Sequence, residues 1–73
     1  MVTIRELRKL NMGGIEEYFD TILSSNADGD ITTAKELFNN MDERQQEHFF
    51  AHVETAHYIG AYELRNLKNE LHG

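Results

Sequence analysis

His48 and His52 are the residues of this sequence whose types and spacing come nearest to a metal site. Four residues apart on a helix, two imidazoles face the same side, and that spacing can supply two ligands to zinc. A zinc site needs at least a third protein ligand. Arg44, not a carboxylate, occupies the preceding turn of that face, and the glutamate of the metalloprotease helix motif is missing. His57 follows His52 by five positions, which at about 100° per residue turns it roughly 140° away. It falls among Phe50, Val53, Gly60 and Leu64, so the expectation is a boundary histidine with one hydrogen bond. Nothing in the sequence places His72. A helical metal-binding protein using His48 and His52 stays an alternative reading, and no cofactor is expected.

Ser24 to Lys35 partly resembles an EF-hand loop. Gly29 takes the position-six glycine, Asn26 and Asp28 stand at positions three and five, and Ile31 stands at position eight. The resemblance departs at both ends. Ser24 stands where the first aspartate belongs, and Lys35 stands where a bidentate glutamate would close the site. An ammonium group at the closing ligand opposes calcium binding, and Glu36 is one residue late for the register. The segment is expected to be a plain interhelical turn. No G-x-S-x-G elbow, P-loop, dinucleotide-binding glycine pattern or cysteine nucleophile occurs. The carboxylates ride on helix exteriors, and a helical chain this short has little room for a substrate cavity of several hundred Å³. The expectation is a protein that is not an enzyme.

The elements that must position these residues read as helices throughout. Thr3-Ile4-Arg5-Glu6 fits a capping box, with Val2 and Leu7 at the two positions of a hydrophobic staple. Ile4, Leu7 and Leu10 would line the buried side of that first helix, and Gly13-Gly14 is its expected break. Ile15, Tyr18, Phe19, Ile22 and Leu23 form the apolar stripe of a second helix, with Ser24 to Gly29 expected as a loop. A third helix is expected to start near Thr33, where Thr33 and Glu36 make another capping box. Asp42 with Gln45 offers the next cap. From Glu43 to Leu71 only Gly60 interrupts the pattern, which predicts one long fourth helix of about 28 residues, roughly 42 Å in length. Phe49, Val53, Ala56, Gly60, Leu64, Leu67 and Leu71 are its core stripe.

These elements belong to a chain of 73 residues without proline or cysteine. A chain of this size buries only about 60% of its unfolded surface and has neither disulfides nor a cysteine-based metal site to help it. It must rely on helix packing, on self-association, or on both. The expected fold is all-α: one helical domain over residues 1–73, a small bundle with three short helices packed on one long C-terminal helix. The net charge of −6 argues against direct contact with nucleic acid. No apolar run approaches the ~18 residues of a membrane span, so no membrane is expected and the expected location is cytoplasmic. The charge is unevenly spread. Residues 1–10 carry Arg5, Arg8 and Lys9 against Glu6 alone, whereas residues 11–47 carry nine acids against Lys35 and Arg44.

The last helix also shows a second apolar strip, Ala51, Thr55, Tyr58, Ile59 and Tyr62. A surface helix needs one apolar face, so a second must be covered either by the first two helices or by a partner. The function expected from this pattern is protein–protein binding by a small acidic regulator, inhibitor or adaptor, a class that includes viral proteins. The partner is another protein, a second copy, or both. Tyr58, Ile59 and Tyr62 are the candidate surface, with Arg5, Arg8 and Lys9 as a second contact. An acidic mimic of nucleic acid is the other alternative, with Glu16, Glu17, Asp20, Asp28, Asp30, Asp42, Glu43 and Glu47 as its candidate charges.

Overall fold

Thr3 is extended and its hydroxyl accepts the Glu6 N–H at 3.2 Å, which supplies the Thr3 half of the capping box, while the Glu6 carboxylate meets the Thr3 hydroxyl at 3.5 Å. The computed structural model describes residues 1–56 and 60–72. Among them lie five helices and no strand: α1 Ile4–Lys9, α2 Ile15–Ala27, α3 Ile31–Asn39, α4 Glu43–Ala56 and α5 Ala61–His72. Val2 and Leu7 are both buried and form the expected staple.

The helix ends differ from expectation in instructive ways. α1 stops before Gly13-Gly14. Asn11 adopts the left-handed conformation at φ 58°, and the Asn11 and Met12 N–H groups bond the Arg8 and Leu7 carbonyls. That is a Schellman closure with asparagine in the usual glycine position. Gly29 makes the same closure at φ 82°, with the Gly29 and Asp30 N–H groups bonded to Asn26 and Ser25. The expected loop from Ser24 therefore shrinks to Asp28–Asp30. Ser24 and Asn26 lie in α2, while Ile31 and Lys35 lie in α3, so the segment is an interhelical turn. α3 starts two residues ahead of Thr33, because the Asp30 carboxylate accepts the Thr33 N–H at 3.2 Å and takes the cap itself. α4 carries the full reciprocal cap: Gln45 N–H donates to Asp42 Oδ1 at 2.8 Å, and Asp42 N–H donates to Gln45 Oε1 at 3.1 Å.

The single long C-terminal helix is replaced by α4 and α5. A continuous helix of the expected length would run about 42 Å, whereas the longest dimension of the molecule is 34 Å. Gly60 is not helical, and its carbonyl accepts the Leu64 N–H at 3.0 Å as α5 begins. α5 packs against both α3 and α4 and buries Leu67 and Leu71. On a straight helix those leucines would extend past the bundle into water. Ala56 and Gly60, expected in the core stripe, are exposed beside the break.

α2 packs on α3 across their short turn and also on α4. All four phenylalanines meet where these helices converge. Phe49 makes edge contacts with Phe19, Phe38 and Phe50 at centroid distances of 5.5, 5.9 and 5.2 Å, in the favourable T-shaped range. Tyr18 is buried beside them, and its hydroxyl donates to the Leu37 carbonyl at 2.5 Å. No buried side-chain polar atom lacks a partner among the described residues.

Candidate functional site

α1 carries the basic tip and meets the rest of the fold through few residues. Ile4, Leu7 and Leu10 are three residues apart, so their side chains span an arc of about 120° centred on Leu7. Leu7 is buried, but Ile4 is 70% exposed and Leu10 51% exposed. The expectation that all three face the core is thus corrected. The helix closes after Lys9, and its partners cover only the middle of the apolar arc. Arg5, Arg8 and Lys9 are all exposed on the same short helix.

Beside α1 lies an open groove of about 450 Å³, bounded by Val2, Ile4, Leu7, Arg8, Met12 and Ile15. Its base is held by Gln45. The Gln45 side-chain oxygen accepts the Val2 N–H at 2.9 Å, and its amide donates to the Val2 carbonyl at 2.7 Å. One side chain at the start of α4 therefore fixes the extended segment that leads into α1. A second depression shares Gly13, Gly14 and Ile15 with this groove and is lined by Glu16 and Glu17. The Glu17 carboxylate accepts the Gly13 N–H at 2.9 Å. The groove is thus apolar at its centre, basic along α1 and acidic at the start of α2.

The two histidines of the metal-binding alternative do share a side of α4, and that side faces Phe19. His48 meets the Phe19 ring edge-on at 5.1 Å, and His52 lies 5.4 Å from it with Nε2 3.3 Å from Asp20 Oδ1. Both rings therefore pack α4 onto α2. No group of three histidine, aspartate or glutamate side chains able to hold a metal ion occurs among the described residues. His72 meets Phe38 edge-on at 5.1 Å, and the Lys68 ammonium sits 5.1 Å above Phe50. His57, Tyr58 and Ile59 lie outside the described residues. Tyr62, on α5, is 75% exposed. Because α4 and α5 are separate helices, no single helix phase aligns Tyr62 with Ala51 and Thr55.

Several acids of the nucleic-acid-mimic alternative are engaged in local structure. Asp42 caps α4, Glu17 holds Gly13 and Asp20 contacts His52. Asp30 caps α3, and hydrogen bonds from the Thr33 hydroxyl and N–H hold its carboxyl below the usual carboxylate range. Gln45 is the residue that sequence reasoning half found: its spacing from Asp42 marks a cap, but its grip on Val2 leaves no local signal. No family model matches the chain, and comparison with curated proteins and with solved structures gives no match. No helix among the described residues is long and apolar enough to cross a membrane.

Proposed function

We propose that this chain works by protein–protein association and performs no chemistry of its own, as a small regulator, inhibitor or adaptor. The observation that carries this reading is the uncovered apolar arc of α1. Ile4 and Leu10 remain in water on either side of Leu7, on a helix that carries three exposed cations, and Ile4 borders the groove. Burying a side chain of this size is worth about 1.5–3 kcal/mol, so both are suited to be anchors of a contact. Tyr62 on α5 is a second exposed anchor, amphipathic in the manner common at interfaces.

A photo-crosslinking residue placed at position 4 or 62 and expressed in source cells tests the reading. Discrete crosslinked products are expected from both positions and from neither of two exposed controls, Glu36 and Thr32. Products from position 62 should persist when Ile4→Glu is added if the two anchors serve separate contacts. Only uncrosslinked chain at every position would overturn the association reading.

A further inference from the structure

We propose that the groove beside α1 is occupied by a second copy of this chain in a two-fold symmetric dimer, in which the basic α1 of each copy faces the acidic start of α2 of the other. The inference rests on the association reading and names its partner.

The charge layout selects the occupant. One edge of the groove carries Arg8, with Arg5 and Lys9 exposed on the same helix. The edge formed by Gly13, Gly14 and Ile15 is shared with a neighbouring depression lined by Glu16 and Glu17. A purely acidic peptide would match the first edge and be repelled by the second, and a basic peptide would have the reverse conflict. A partner that carries both signs in the same arrangement satisfies both edges at once when it is turned by a two-fold axis. A copy of this chain is such a partner, since an isologous contact pairs patch one with patch two in both directions. The apolar elements agree. Ile4 is exposed at the groove's margin, while Val2, Leu7, Met12 and Ile15 form its apolar lining. Each copy thus offers an anchor and a place to receive it. Self-association is also a common means by which chains of this size supplement a small core.

Sedimentation velocity of the purified full chain, from micromolar to near-millimolar concentration, tests the proposal with three variants. Wild type is expected to pass from monomer to dimer over that range, with weaker association at high salt. Ile4→Glu should raise the dissociation constant by about tenfold or more through loss of the anchor and introduction of a charge. Arg8→Glu and Glu16→Lys, both at exposed positions, should each weaken the homodimer, because each places like charges together twice. A mixture of Arg8→Glu with Glu16→Lys should recover a mixed dimer near wild-type strength, since every cross-contact is then between opposite charges. Circular dichroism checks that each variant retains wild-type helicity. Should Ile4→Glu lose helicity, the two charge variants and their mixture decide the matter alone.

A wild-type chain that stays monomeric at all concentrations overturns the proposal. So does a dimer that ignores both single charge changes, or one that the mixture fails to restore. If the purified chain is monomeric while position 4 crosslinks in cells to a heavier protein, the second copy is overturned and the association reading stands.

Discussion

The Gln45 amide sits where three backbone groups would otherwise need water as their partner: the Val2 N–H, the Val2 carbonyl and the Asp42 N–H. Hydrogen bonds of this kind contribute about 1 kcal/mol each, and the site is only part-buried, so water recovers some of the loss. Gln45→Ala should therefore lower stability by about 2 kcal/mol in urea denaturation, and amide exchange should accelerate first in α1. Gln45→Glu retains the acceptor for Asp42 N–H but cannot donate to the Val2 carbonyl, so its loss should be intermediate. Tyr18 makes a different test. Burial, opposed by a hydrogen bond with Asn40 and assisted by the charge of Glu6, raises its phenol above the ordinary value of 10.0. A folded value above the unfolded one means that the contribution is fully present below pH 10 and is lost as pH rises through the folded value. Wild type should accordingly lose stability on the alkaline side. Tyr18→Phe should flatten that limb while costing about 1 kcal/mol at neutral pH through loss of the bond to Leu37. An alkaline slope unchanged by Tyr18→Phe would place its origin in other groups.

At the scale of elements, two glycines that look alike in the sequence do different work. Gly29 ends α2 at φ 82°, a conformation that costs an L-residue about 1–2 kcal/mol. Gly60 flanks α5, and an added Cβ would meet nothing within 4 Å. Thermal denaturation should show Gly29→Ala destabilised by about 1 kcal/mol and Gly60→Ala neutral or slightly stabilised, since alanine restricts the unfolded chain. The break between α4 and α5 should persist in Gly60→Ala, because burial of Leu67 and Leu71 sustains it. If that substitution instead raised helicity and released α5, the glycine itself would be the cause of the break. The caps at Thr3 and Asp42 and the turn at Asp28-Gly29 were legible in the sequence because each is closed by residues within about four positions. The α3 start was ambiguous for the same local reason: Asp30 and Thr33 are both competent caps three residues apart, and Asp30 holds the position.

At the scale of the whole molecule, helix class, the apolar stripe of α2 and the division of charge between a basic tip and an acidic body were determined by the sequence alone. Those properties depend on residue types and on a periodicity that any window of the chain displays. Coverage does not. Ile4, Leu7 and Leu10 have the same spacing and similar hydropathy, yet only Leu7 is buried, because the number of helices available to cover α1 is a property of the assembled fold. The grip of Gln45 on Val2 spans 43 positions, and the meeting of Phe19, Phe38, Phe49 and Phe50 draws on three helices. The turn at α5 follows from the same physics. A continuous helix and a broken one satisfy the local pattern about equally, and the choice falls to the broken one because it returns Leu67 and Leu71 to a core that the first three helices leave open. The spacing of the tyrosine strip presumes an unbroken helix, whereas the groove beside α1 exists only once Val2, Leu7, Met12 and Ile15 have been brought together by tertiary packing.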